Sequence, residues 1–202
     1  MSNKGMTLTE LIVSSILVGI VMVGIASFSS AIKQIQTTNE KSTLLEIRTA
    51  AAINHIRRSA VQAVGYQDDP GIITSATGAS PAYFSFRQDR NNTPNNFSDD
   101  TWVIYSDGGI AGRMYTCTQD ATAGPVPNSG IGGGCAIATN LTLLQNISTI
   151  SYSRVTDDAS SNLNLYFEIN LTTMDDISKP YHPVNNPKYT VNTRIIPPSH
   201  SW

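Results

Sequence analysis

A single carboxylate, Glu10, lies at the edge of a long apolar stretch near the start of the chain. An ionised carboxylate is costly to remove from water, so a partner must neutralise it. The chemistry that this residue offers is pairing with an opposite charge, and the identity of that partner is the main functional question. The alternative is that Glu10 lies among lipid headgroups, where a carboxylate is tolerated.

The residues that most often catalyse reactions do not form a recognisable constellation. His55, His182 and His200 are scattered along the chain, and no nucleophile stands at motif spacing from them. The sequence contains no phosphate-binding loop, zinc signature or nucleophile elbow. We therefore expect a protein that is not an enzyme and that needs no cofactor.

The charged residues suggest neither a metal site nor a nucleic-acid partner. The chain has 13 basic and 15 acidic residues, so it lacks the basic footprint of a nucleic-acid-binding protein. Four acidic doublets do not follow the EF-hand pattern, and solvated turns explain them, with calcium binding as the alternative. The doublets are Asp68-Asp69, Asp99-Asp100, Asp157-Asp158 and Asp175-Asp176.

The element that carries Glu10 is predicted to be a long helix. No charged residue occurs from Leu11 to Ile32, and about 22 helical residues cover about 33 Å, the thickness of a bilayer core. A cleaved secretory signal is the competing interpretation, but its apolar segment is shorter than this one. The leader before the span should be cytoplasmic, with the bulk of the chain on the other side.

The helical pattern continues beyond the apolar span and becomes amphipathic. Apolar residues recur at helical spacing, and the first proline is Pro70, so we predict one helix from about Met6 to about Val64. Its second half should cover a core, while its first half anchors the protein. The predicted core stripe is Ile35, Leu45, Ala52, Ile56, Ala60 and Val64.

The remainder of the chain is predicted to form an antiparallel sheet with one core of six strands. Short apolar alternations are separated by turn residues, and Asp107-Gly108-Gly109 is a hairpin signal. Thr142–Gln145 fits either a strand or a helical turn. Three loops, 88–100, 119–134 and 174–188, are long enough to carry an interaction surface. The predicted strands are 82–87, 101–106, 112–118, 147–155, 163–171 and 189–196. The expected fold class is α+β.

The N-terminal residues resemble a known protein family. Lys4-Gly5 followed by Met6-Thr7-Leu8-Thr9-Glu10-Leu11-Ile12-Val13 is similar to the class III signal of type IV pilins and pseudopilins. The resemblance implies cleavage between Gly5 and Met6 by a prepilin peptidase, with N-methylation of Met6. It also implies that the Glu10 carboxylate pairs with the terminal amine of a neighbouring subunit when helices bundle into a filament.

The resemblance implies a pilin-like layout and a set of partners. Residues 1–5 would be the leader, 6–32 the transmembrane and filament-core helix, 33–64 the amphipathic helix, and 65–202 the exported sheet domain. The protein would reside in the bacterial inner membrane, with a periplasmic domain, before it enters a filament with other major and minor pilins.

Two segments resemble the J- or W-type minor subunits of the family. They are Ile56-Arg57-Arg58-Ser59-Ala60 through Gly65-Tyr66, and Leu143 through Tyr152. The expected function is a minor pilin that primes filament assembly or forms part of the tip complex. The alternatives are a J-like pseudopilin of type II secretion and, from another class, a single-pass anchored periplasmic binding or sensor protein.

The two cysteines, Cys117 and Cys135, both lie in the part predicted to be exported. In an oxidising compartment a pair with a separation of about 18 residues is expected to form a disulfide, which contributes about 3 kcal/mol in the chain-entropy model. A metal site is the alternative, but two thiolates without a nearby histidine are too few ligands. We therefore predict a disulfide and no metal.

Overall fold

The computed structural model describes residues 7–65, 71–75, 82–89, 91, 93, 96, 99–107, 112–120, 141–156 and 164–196. Its first element is helix α1, Leu8–Val61, which is 54 residues long. The helix ends shortly before the predicted boundary at Val64, because the chain there leaves the helix to meet a strand. The Val64 N–H donates to the Arg87 carbonyl at 2.8 Å.

The chain divides into two compact units after Lys41. Near the N-terminus, α1 carries an 18-residue window with a mean hydropathy of 2.5, and none of that window is buried inside the protein. By its length and composition this helix could cross a membrane.

In the second unit, α1 buries one face. The buried helix residues, two pairs of which are adjacent, recur every three or four positions, as expected for one side of an α-helix. They are Leu45, Thr49, Ala52, Ile53, Ile56, Ser59 and Ala60. The predicted stripe is confirmed from Leu45 to Ala60. Ile35 is 60% exposed and lies in the first unit, so the buried stripe begins later than predicted. Val64 is half-buried and lies beyond the end of the helix, so the stripe also ends earlier than predicted.

In the described residues of the second unit, eight antiparallel strands form two sheets. The five-stranded sheet has the order β1-β2-β3-β4-β5, and the three-stranded sheet has the order β6-β7-β8. The strands are β1 Ile72–Thr74, β2 Tyr83–Gln88, β3 Thr101–Ser106, β4 Arg113–Asp120, β5 Leu141–Gln145, β6 Ile147–Thr156, β7 Asn164–Met174 and β8 Lys188–Ile195. The six predicted strands are all present, the open segment 142–145 is a strand, and β1 was not predicted.

The division into two sheets departs from the predicted six-stranded core. It occurs at Asn146, the one residue between β5 and β6, which has a φ of 62°. Asparagine tolerates this left-handed conformation better than most residues. The Asn146 side chain donates to the Asp175 carbonyl at 2.9 Å, and its own carbonyl accepts from the Met174 N–H at 2.9 Å. These bonds hold the bend at which the chain changes sheets.

Aromatic side chains from both sheets share one core. The rings of Phe84 and Tyr105 stack with centroids 5.0 Å apart, and the Phe167 ring lies 5.0 Å from Phe84 and 5.3 Å from Phe86. Phe84 and Phe86 lie on β2, Tyr105 on β3 and Phe167 on β7. The two sheets therefore form a single hydrophobic core, which the buried face of α1 also joins.

Two hydrogen bonds connect α1 to the sheets inside this core. The hydroxyl of Thr49 bonds that of Thr173 at 2.9 Å, and the Tyr105 hydroxyl donates to Ser59 Oγ at 2.7 Å. Buried polar groups are costly unless they are paired, so these bonds favour one position of the helix along the sheets.

The predicted fold class is confirmed. A long N-terminal helix packs through its C-terminal half on antiparallel sheets, which is an α+β, pilin-like architecture. The predicted hairpin is consistent with the antiparallel pairing of β3 and β4. Its two glycines, Gly108 and Gly109, lie outside the described residues.

Candidate assembly site

The Glu10 carboxylate bonds to the N-terminal end of its own helix. Its Oε2 accepts the Thr7 N–H at 2.9 Å and the Thr7 hydroxyl at 2.9 Å. In return, the Glu10 N–H donates to Thr7 Oγ1 at 3.3 Å. This reciprocal arrangement of Thr-x-x-Glu is a capping box, which satisfies backbone donors that the first turn of a helix leaves unpaired.

The sequence reasoning missed Thr7, although the three-residue spacing of Thr7 and Glu10 is a known helix-start signal. The positive end of the helix dipole also favours a carboxylate at this position. The first partner of Glu10 is therefore intramolecular. Its pairing with the amine of a neighbouring subunit stays a prediction, and such an amine would have to approach a carboxylate that already accepts two hydrogen bonds.

An exposed apolar surface follows Glu10 along the helix. Large hydrophobic side chains cover it on all sides of the helix, whereas a helix that packs on one partner has a narrower apolar face. The exposed residues are Leu11, Ile12, Val13, Ile16, Leu17, Val18, Ile20, Val21, Met22, Val23, Ile25, Phe28 and Ile32. A surface of this kind requires lipid or other helices around it.

Several serines on this surface use their hydroxyl protons within the helix. Ser14 donates to the Glu10 carbonyl at 2.7 Å, Ser27 to the Val23 carbonyl at 2.9 Å, and Ser30 to the Ala26 carbonyl at 3.0 Å. Because these hydroxyl protons are used within the helix, the segment can enter an apolar environment at lower cost.

Of the predicted cleavage site and the predicted disulfide, the described residues include only one member, Cys117. Gly5 and Met6, which flank the predicted cleavage point, lie outside the described residues, as does Cys135. Cys117 lies on β4, is nearly buried, and takes part in a disulfide bond. It packs with Trp102 and Ile104 in a small cluster on β3 and β4. The pairing of Cys117 with Cys135 stays a prediction.

The histidines that the structure describes have structural partners. His55 Nδ1 lies 2.9 Å from the Tyr105 hydroxyl, and His182 Nδ1 accepts the N–H groups of Val184 and Asn185 at 3.2 and 3.1 Å. Burial raises the pKa of Tyr105 to about 12, so its hydroxyl is a neutral donor at physiological pH. His200 lies outside the described residues.

The described part of the chain holds no group of three or more His, Cys, Asp or Glu side chains that could bind a metal ion. The acidic doublet Asp175-Asp176 belongs to a loop, where Asp176 accepts from the Ser178 N–H at 3.0 Å and pairs with Lys179 at 2.8 Å. The hydrogen bond with Lys179 is the largest of the effects that lower the pKa of Asp176 to about 2.

No family model, curated protein or solved structure matches this chain. A single carboxylate at one end of an exposed apolar rod can bind a cation, and the rod itself can associate with other apolar helices.

Proposed function

We propose that this protein is a minor pilin, a structural subunit that helps to prime assembly of a type IV pilus or forms part of its tip complex. The observation that carries the proposal is the exposed apolar helix with Glu10 at its start, preceded by Lys4-Gly5-Met6. The pilin-like arrangement of α1 and the sheets is consistent with it.

In this proposal the protein has two successive locations. A prepilin peptidase removes residues 1–5, and the subunit waits in the bacterial inner membrane with its sheet domain in the periplasm. It then leaves the lipid and packs its apolar helix among those of other major and minor pilins. The exposed side chains from Leu11 to Ile32 exchange lipid contacts for helix contacts.

The proposed role of Glu10 is to set the position of the subunit in the filament. Opposite charges about 4 Å apart attract by about 4 kcal/mol at an effective dielectric of 20. Desolvation offsets part of this energy, so the pair contributes to register more than to stability. The capping box keeps the carboxylate at the helix end until an incoming amine reaches it.

Two other functions fit the same helix. A pseudopilin of type II secretion would use the same leader and the same packing in a different apparatus. A single-pass periplasmic binding or sensor protein would use α1 as a permanent anchor, because the helix is apolar and long enough to cross a membrane. Removal of the leader separates this anchored protein from both pilin-type functions.

We expect the mature chain to begin at Met6 with a methylated amine. The measurement is the intact mass of the full chain purified from cells that contain a prepilin peptidase. In Gly5→Val, the side chain next to the cleaved bond should block processing, so that residues 1–5 are retained. Gly19→Val is the matched control, because nothing lies within 4 Å of a Cβ placed at Gly19.

Retention of residues 1–5 by the wild-type chain would contradict the proposal and favour the anchored protein. Normal processing of Gly5→Val would contradict the assigned cleavage point. The proposal requires that the wild type and Gly19→Val both lose the mass of residues 1–5. Gly5→Val must retain it.

A further inference from the structure

Among the residues that the structure describes, strand β8 is an edge of the three-stranded sheet, because the sheet has the order β6-β7-β8. Its eight residues pair with β7 without a shift in register, and the strand contains neither proline nor glycine. The end strands of the other sheet are shorter, with three residues in β1 and five in β5. A long, regular edge is a template on which another strand can pair.

The hydrogen-bond pattern shows which backbone groups of β8 point away from β7. The Asp175 N–H donates to the Pro187 carbonyl at 3.1 Å, whereas the Met174 N–H donates in the other direction, to the Asn146 carbonyl at 2.9 Å. In an antiparallel pair the direction alternates with each residue. The outward backbone groups therefore belong to Lys188, Thr190, Asn192 and Arg194.

Exposed apolar side chains precede and follow this strand in the chain. In the described residues from 71 onward there are five exposed large hydrophobic side chains, and three of them, Tyr181, Val184 and Ile196, lie close to β8 in the sequence. A fourth, Ile177, belongs to the same loop but lies next to Gly112, at the start of β4. Apolar groups concentrated beside unpaired backbone groups are typical of a protein interaction surface.

The loop before β8 is held in place by Asn186. This side chain is 3% exposed, and its Nδ2 donates to the carbonyls of Asp176, Lys179 and Pro180 at 2.9, 3.0 and 3.1 Å. The exposed apolar side chains of the loop are thus presented on an ordered backbone, which lowers the entropy lost on binding.

The charges on β8 argue against pairing with a second copy. Lys188 and Arg194 are its charged residues, and both are positive. Arg194 forms an ion pair with Glu168 of β7 at 3.4 Å, but its side chain is 64% exposed, and an exposed pair of this kind contributes little. In an antiparallel pairing centred on Val191, which uses all four outward positions, Lys188 of one copy lies opposite Arg194 of the other. Like charges directly opposite each other are destabilising, whereas acidic residues at these positions would attract.

We propose that β8 accepts an extended strand from a different subunit of the filament, with acidic side chains near Lys188 and Arg194 and apolar contacts to the flanking residues. This inference depends on the proposed function, since it names the surface through which the minor pilin joins its partner. The added strand would satisfy the outward N–H and C=O groups of β8.

Hydrogen exchange of individual backbone amides tests this directly. In the full chain purified in detergent, the amides of Lys188, Thr190, Asn192 and Arg194 should exchange fast, and those of Tyr189, Val191, Thr193 and Ile195 should exchange slowly. In the filament fraction of the cell that makes the protein, the first set should slow by at least about tenfold. Fast exchange of the first set in assembled protein would overturn the inference while the proposed function stands.

A pair of variants at one position separates backbone pairing from side-chain recognition. Asn192→Pro removes an outward N–H without removing a bond to β7, a position at which edge strands tolerate proline. Asn192→Ala truncates the side chain and keeps the N–H. We expect Asn192→Pro to reduce recovery in the filament fraction by at least about tenfold and Asn192→Ala to change it by less than about twofold.

Other outcomes are equally informative. If both variants lose recovery in the filament fraction equally, the inference is overturned. The partner would then recognise side chains on the polar face of Ser151, Asn170 and Asn192. Slow exchange of the outward amides in the isolated, self-associated chain would overturn it in favour of a second copy. Absence of the wild-type chain from any filament fraction would refute the proposed function and this inference with it.

Discussion

Glu10 has two possible roles in the same molecule, and they make different demands on its chemistry. As the third residue of the helix it needs only an oxygen acceptor for the Thr7 N–H, which a neutral amide also provides. As the partner of a neighbouring ammonium it needs a negative charge. Glutamine therefore preserves the first role and removes the second, which makes the two roles separable by substitution.

We expect Glu10→Gln to leave the protein in the membrane and reduce its recruitment into filaments at least about tenfold, the effect of about 1.4 kcal/mol of lost charge pairing. The measurement is the ratio of filament-bound to membrane-bound chain on immunoblots. Thr7→Val is the matched control, because it removes the capping hydroxyl but keeps the carboxylate. Equal recruitment of Glu10→Gln and wild type would contradict the charge-pairing role.

At the scale of single elements, the loop between β7 and β8 makes a close contact with the residue that precedes β4. Gly112 precedes β4 with a φ of +79°, and a Cβ at this position would overlap Ile177 Cδ1. Ile177 is thereby seated next to the start of β4, while Asn146 bonds the neighbouring Asp175 carbonyl. The loop that flanks the proposed docking edge is thus fixed to the body of the sheet domain at two points.

Gly112→Ala should lower the free energy of unfolding by about 1–3 kcal/mol, because alanine is strained at positive φ and meets Ile177. Denaturant unfolding followed by tryptophan fluorescence measures the change. Adding Ile177→Ala to Gly112→Ala relieves the overlap but not the backbone strain. If the double variant loses more free energy of unfolding than the two single variants lose together, the contact is not the cause.

At the scale of the whole molecule, the buried helix residues lie in the second of two compact units. The first buried position of α1 is Leu45, and the second unit begins at Ser42. The aromatic core, both sheets and the helix face that covers them all belong to this unit. The free energy of unfolding should therefore depend on residues 42–202. The apolar part of the helix before them should determine where the protein resides.

A chain that begins at Ser42 should fold without detergent and unfold in one cooperative transition. Near-ultraviolet circular dichroism and thermal unfolding test this, with the full chain in detergent as the reference. A chain truncated further, after Ala52, is the negative control, since it loses the buried positions Leu45, Thr49 and Ala52. Aggregation or a non-cooperative transition of the longer fragment would show that the first unit supports the fold.

Much of the fold was predictable because its signals are local. The apolar run predicts a helix that can span a membrane, and alternation at period two located six strands to within a few residues. The capping partner Thr7 was also present in the sequence, as the spacing Thr-x-x-Glu, and was overlooked. Strand β1 was not predicted, because three residues are too few to show an alternation of period two.

Only the tertiary structure decided how the strands are shared between sheets and which polar residues are buried. The bend at Asn146 divides the strands five and three. Arg87 on β2 and Asp100, just before β3, are each 2% exposed, and their side chains approach to 3.6 Å. The interpretation of the doublet Asp99-Asp100 as a solvated turn is therefore wrong for Asp100. By itself, the sequence determined the long apolar helix, most of the strands and the α+β class, because hydrophobic periodicity is a local property of the chain. The free edge at β8 depends on pairing between distant segments, and local pattern does not encode that pairing.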